Sequence, residues 1–177
     1  MTHADRARGA NLLGSMSLAI ADRLLAATED AAGQTGSGPA ALAALSTYLE
    51  GDHIDALGRS LGITHSAAVR LVDRLEASGF VERGAGADGR SVSVVLTEAG
   101  RGAAREILDA RERALAHALD GLGASDRKAL ARLCESLLGE LTASRADARR
   151  ICRLCDPDAC GHHEGRCPVT QAADRAA

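Results

Sequence analysis

The segment CRLCDPDACGHHEGRCP, Cys152 to Pro168, gathers the chain's softest donors: Cys152, Cys155, Cys160 and Cys167, with His162 and His163 among them. The spacing is C-x2-C-x4-C-x6-C. A two-residue gap lets Cys152 and Cys155 grip one ion from a single tight turn. Pro157, Gly161 and Gly165 let the chain fold back, so that Cys160 and Cys167 can close a tetrahedron. Four thiolates around zinc make a structural site, with no open position for a substrate. Arg149, Arg150, Arg153 and Arg166 flank the segment and would offset its negative charge. Two other chemistries fit the same residues. An iron–sulfur cluster is one: Cys167-Pro168 echoes the end of ferredoxin-type motifs, although the other spacings differ. A thiol switch is the second, with Cys152 and Cys155 closing a disulfide under oxidants. His162 or His163 could replace one cysteine, and the plain alternative is a loose tail with cysteines gathered by chance. Cys134 lies apart on an apolar stripe and is expected to pack as a small hydrophobe.

A second set of residues has the chemistry of a nucleic-acid reader. Arg70 and Arg74 are four apart, so they share one face of a helix. His65 and Ser66 occupy the first turn of that helix, the part that enters a major groove deepest. The fork of Arg70 matches guanine O6 and N7. Arg74 suits a phosphate, or a partner among Asp73 and Glu76. The alternatives are a solvated arginine at 70 and an ordinary cap-adjacent histidine at 65.

The elements that position these residues follow from apolar spacing. Leu13, Met16, Ile20 and Leu24 recur at helical intervals from Asn11 to about Ala31. The loop GQTGSGP leads to a helix with Pro39 in its first turn and Leu42, Leu45 and Leu49 inward, ended by Gly51. HIDALGRSLGI is a short helix stopped near Gly62. THSAAVRLVDRLEASGF is a second one, with Thr64 as N-cap, Val69, Leu71, Val72 and Leu75 inward, and Gly79 at its C-terminus. Two short helices joined at a glycine read as a helix-turn-helix. FVER and SVSVVL flank GAGADG as a hairpin, with Val92, Val94 and Leu96 alternating with Ser91 and Ser93. A hairpin directly after a recognition helix is a wing. Thr97 caps a long helix to about Leu122. Ser125 caps another, whose stripe of Leu130, Leu133, Cys134, Leu137, Leu138 and Leu141 runs on towards Cys152. One small domain cannot cover both this stripe and that of the first helix, so a second copy of the chain is expected. The tail after Cys167 is small and polar and is expected to fray.

The stretch ITHSAAVRLVDRLEASGFVERGAGADGRSVSVVLTEAGR, Ile63 to Arg101, with DALGRSLGI before it, resembles the multiple-antibiotic-resistance-regulator (MarR) family. The resemblance covers roughly residues 11–144. It implies a homodimer with interlocked terminal helices that presents two winged helices to double-stranded DNA. It also implies a repressor, or sometimes an activator, often released by a small-molecule effector bound between the dimer helices and the winged helix. Within the wing, Arg90 resembles the family arginine that enters the minor groove, and Asp88 the acid that orients it. A solvated Asp–Arg pair at a hairpin tip is the alternative. The segment from about Cys152 lies outside the family pattern.

Bulk properties bound the rest. Of 177 residues, 46% are hydrophobic, yet Tyr48 and Phe80 are the only aromatics, so a core of Leu, Ala and Val between close-packed helices is expected, and any pocket should be small and aliphatic. The net charge of −3 supplies no global basic field, so DNA binding needs local arrangement. Between Asp55 and Arg90, arginines 59, 70, 74, 83 and 90 balance acids 55, 73, 76, 82 and 88. The acids at 73, 76 and 82 would have to face away from phosphate. No stretch approaches a membrane span, and the chain is expected to be cytoplasmic. No βαβ pattern surrounds the cysteines and no nucleophile triad or phosphate loop occurs, which argues against an enzyme such as a dithiol oxidoreductase. A winged helix that binds only protein is a further alternative. The expected fold is mainly α: a winged helix-turn-helix at 38–97, dimerisation helices at 1–37 and 98–151, a cysteine-rich metal-binding segment at 152–168 and a flexible tail at 169–177.

Overall fold

A computed structural model describes residues 2–85 and 92–176. Asp88 and Arg90, both assigned above to the wing tip, lie outside the described residues. Helix α1 spans His3–Ala32, earlier than apolar spacing alone suggests. It starts there because Thr2 and Asp5 form a reciprocal capping box, which pairs two amide donors the helix leaves free. Gly33, with φ of 57°, ends it in the left-handed conformation. Helix α2, Gly38–Ala44, is buried along its whole length and widens into a π-helical turn at Leu45–Leu49, which carries Tyr48. Helices α3 (Ile54–Leu61) and α4 (His65–Ala77) meet at Gly62, and strands β1 (Val81–Ala85) and β2 (Val92–Leu96) follow. They pair antiparallel, Val81 opposite Leu96 and Arg83 opposite Val94. The segment before α3 extends this sheet: Gly51 N–H donates to Val94 O (3.1 Å), and Val94 N–H donates to Asp52 O (3.0 Å).

The core lies in the winged helix and takes in residues of the helices on either side of it. Leu42, Leu45, Leu57, Leu71, Val72, Leu75, Val94, Leu96 and Ile107 are almost wholly excluded from solvent. Alanines fill the space that aromatic rings would take elsewhere, so the elements approach closely. Gly100 shows how closely: a Cβ there would lie 1.9 Å from the Phe80 carbonyl oxygen. The strand alternation differs from the sequence reading. Val92 is exposed and Ser93 is buried, because Ser93 pairs with His53 of the added segment.

Helix α5, Glu98–Leu119, is capped by Thr97 and lies along α1. Helix α6 spans Ala124–Leu141 and is capped by Gly123 rather than Ser125, which sits inside the first turn. The chain then does not continue as one helix to Cys152. It breaks at Thr142, and Ser144 caps a separate helix α7, Arg145–Ile151. A 3-10 turn at Cys152–Leu154 follows, then a coil, then helix α8 at Pro168–Arg175. The tail after Cys167 is thus helical rather than frayed. Pro168 opens α8, and Val169, Ala172 and Ala173 are buried on one face. Among the described residues no helix is long and apolar enough to cross a membrane.

Candidate nucleic-acid interface and cysteine cluster

Helix α4 is two-sided. Ala68, Leu71, Val72 and Leu75 face the core, while His65, Ser66, Arg70, Asp73 and Arg74 face solvent. Thr64 Oγ1 accepts from Ala67 N–H (3.3 Å) and anchors the first turn. His65 Nδ1 lies 2.6 Å from Asp55 Oδ1 on α3. Ser66 Oγ lies 3.3 Å from Thr64 Oγ1. Arg74 folds back along the helix and donates to the Arg70 carbonyl (3.3 Å). The Arg70 guanidinium makes no ion pair or hydrogen bond among the described residues. Arg70 is therefore an exposed arginine fork with no partner among the described residues.

The acids on this helix go to Arg83, not to Arg74, for which they were the alternative to a phosphate. Strand β1 runs back beside α4, and Arg83 pairs with both Asp73 and Glu76. Its guanidinium is held above its ordinary pKa, first by the hydrogen bond to Asp73. One cation thus ties two carboxylates to the flank of the helix. Composition alone could not assign this: the tally is neutral, and only the strand reversal decides which arginine meets which acid. Arg83 is the residue of this surface that sequence reasoning passed over.

The cysteine segment folds as a compact double turn. Cys155 N–H donates to Cys152 O (2.9 Å), and Asp156 Oδ1 accepts from Asp158 and Ala159 N–H. Gly161 and Gly165 both take φ of 70°, which swings the chain back to Cys167. The four thiols meet in a ring: Cys152 is within hydrogen-bonding reach of Cys155 and Cys167, and Cys160 is within reach of Cys155 and Cys167. The Cys155 thiol hydrogen bond lowers the Cys152 pKa, and Cys155 is raised in turn by that bond and by burial. Burial, more than its thiol neighbours, pushes Cys160 up to about 12. Burial, and after it the charge of the four cysteines, raises the Tyr48 hydroxyl pKa. As they stand, no three or more His, Cys, Asp or Glu side chains among the described residues are set to hold a metal ion. His162 is engaged elsewhere, with Nδ1 3.0 Å from Thr170 Oγ1 and its ring edge-on to Tyr48. His163 is exposed near Asp158.

The cations expected around the cysteines are placed differently. Arg150 packs over Gly62, Arg153 donates to the Arg150 carbonyl, and Arg166 pairs with Glu164. Arg111, on α5, is the cation whose charge reaches Cys155. Cys134 is exposed on α6, not packed within its own chain. A cavity of about 290 Å³ lies beside the cysteines, with Tyr48, Ser60, Arg145, Arg149, Cys152 and His162 in its wall. It is small, and Leu49, Ala148 and Ala173 add to a wall whose surface is mostly apolar.

Comparison with known proteins bears on both regions. Residues 39–91 match the MarR family. A MarR family protein from Bacillus stearothermophilus superposes with a TM-score of 0.70 at 24% identity, covering 80% of this chain and 99% of its own. A MarR family protein from Mycobacterium tuberculosis gives 0.60 at 26% identity, covering 77% and 98%. CouR from Rhodococcus jostii RHA1, solved bound to p-coumaroyl-CoA, gives 0.54 at 21%, covering 71% and 90%. No curated protein matches the chain. The first two structures are covered almost completely while about a fifth of this chain has no counterpart in either. The helix order, the winged sheet and the matched segment give this chain a winged helix-turn-helix fold of the MarR type.

Proposed function

We propose that the chain is a transcription regulator that binds double-stranded DNA sequence-specifically, as a homodimer, and acts as a repressor. The observation that carries this is the exposed face of α4. Arg70 projects there with no partner among the described residues, while Arg83 draws Asp73 and Glu76 to one side. A neutral segment thereby offers phosphate and base edges a cationic face. In this reading Arg70 takes guanine O6 and N7. His65 and Ser66 contact bases or phosphate at the deep end of the helix, and Arg74 contacts phosphate. Arg90 would enter the minor groove beside Asp88.

The dimer reading rests on apolar surface. Leu18 on α1 is 70% exposed, and Leu133 and Leu141 on α6 are 61% and 68% exposed, with Leu12, Leu13, Met16, Leu25 and Leu137 beside them on the same two helices. A stripe of this size in water calls for a cover, and a second copy supplies an identical one. Two winged helices related by a two-fold axis would read a pseudo-palindrome with half-sites ~10 bp apart. An effector, if the repressor is relieved by one, has the cavity beside Tyr48 available, with arginine and histidine to meet a polar or anionic group.

Selection of bound sequences from a random duplex pool, followed by fluorescence anisotropy, tests the reading. An enriched inverted repeat, bound with a clear dependence on salt and lost on Arg70→Ala, supports it. Equal binding of all duplexes, or unchanged specificity in the variant, rejects it.

A further inference from the structure

We propose that Cys152, Cys155, Cys160 and Cys167 bind one zinc ion, and that this ion latches the C-terminal segment onto the helix-turn-helix. This is separate from the DNA reading, which uses none of these residues.

Three observations converge. First, the ring of contacts is closed. Each sulfur meets two others, and each of the two chain turns contributes one adjacent pair. Neighbouring sulfurs lie within hydrogen-bonding reach round the ring, an arrangement that suits one ion once the side chains turn inward. A cluster of several irons and sulfides would hold the thiolates apart, and a simple disulfide switch needs only two of the four. Second, the backbone that gathers them is built for the purpose. Two left-handed glycines, an Asp156 side chain bridging two amides and a proline-led helix all serve to bring Cys160 and Cys167 back to Cys152. Third, the sulfurs keep company unsuited to free thiols. Cys167 is buried, and the other three are partly buried.

In the thiol form, S–H groups are spent on carbonyls. Cys155 donates to Asp156 O and Cys160 to Pro157 O, both at 3.5 Å. Zinc replaces those protons. Four thiols and one Zn2+ give a tetrathiolate of charge −2 and four protons, with no electron transferred. Each sulfur then points inward at about 2.3 Å from the ion. This accounts for sulfurs that are neighbours before binding yet not in coordination geometry. The charge of Arg111 reaches Cys155 and would offset part of that negative charge.

The latch acts through what the segment touches. Ser60 Oγ on α3 donates to Arg149 O (3.2 Å). The Arg150 guanidinium lies 3.2 Å from where a Cβ on Gly62 would sit, at the turn between α3 and α4. Leu154 packs on the winged-helix core. Closing the cysteines on an ion therefore pins α7 against the hinge of the DNA-reading unit.

The test uses the full chain, purified anaerobically without chelator and analysed for metals. The expected result is colourless protein with one zinc per chain, released when four thiols are titrated with an organomercurial. Co2+ added in place of zinc should give the intense visible bands of a tetrahedral thiolate site. Cys155→Ser should lose the metal, whereas Cys134→Ser should keep it. Should Cys155→Ser misfold, the wild-type Co2+ spectrum decides alone. Stripping the zinc should speed amide exchange in 145–154 and at the α3–α4 turn. Metal-free protein with four freely reactive thiols and no cobalt spectrum overturns the proposal. So does brown protein containing iron and sulfide, or a stable Cys152–Cys155 disulfide in the protein as isolated.

Discussion

The winged helix and the two long flanking helices obey opposite rules. In the first, every apolar position of α2 and the inner faces of α3 and α4 are sealed within the chain. In the second, α6 has no buried residue at all, and α1 has only Thr28 and Ala32. Their leucines are as apolar as those of the core but lie bare. The difference teaches that the winged helix meets its apolar needs within the chain, whereas the outer helices leave apolar surface bare, which the proposed second copy would cover.

The comparison is broken most directly from inside. Leu75→Ala, at a fully buried position of α4, should cost about 3 kcal/mol and remove the cooperative transition at moderate urea. On the arms, the double change Leu133→Asp and Leu137→Asp should convert the dimer to a monomer in sedimentation. It should leave the spectroscopic signature of the winged helix in place; a monomer that also unfolds would show that the two regions are not separable. On the reading face, Arg70→Ala should reduce discrimination between cognate and random duplex by about 1–3 kcal/mol without altering the urea midpoint. Arg83→Ala should free Asp73 and Glu76 towards the phosphates, and weaken binding to all duplexes by about tenfold, an effect of about 1.4 kcal/mol, most strongly at low salt. Val92→Thr, on the exposed side of the wing, should stay within about 0.5 kcal/mol of wild type.

Parts of this molecule were readable residue by residue. Thr64 and Thr97 cap as their side chains and positions require, and Gly62 and Gly79 terminate helices with positive φ. Local rules suffice there, because a cap needs only the next few amides. The start of α1 was missed because Thr2 and Asp5 act through hydrogen bonds while apolar spacing begins later. Helix α8 was missed because its buried face holds only Val169, Ala172 and Ala173, too little apolar surface to be seen without the partner it packs on. The inward side of β2 was misjudged at Val92 and Ser93. A strand's alternation does not reveal that a third segment, at Asp52 and His53, covers one of its positions.

By itself the sequence determined the helix-turn-helix, the wing strands, the surplus of apolar surface on the arms and the grouping of four cysteines. All of these depend on period, turn chemistry and spacing, which act over a few residues. Only the tertiary structure decided that Arg83 rather than Arg74 takes the acids of α4. It also decided that the charge of Arg111 reaches Cys155, that the cysteines act on Tyr48 and that the tail docks as a helix. Those pairings join residues far apart in the chain. Which charge meets which depends on how packed elements turn to face one another, and local pattern carries no record of that.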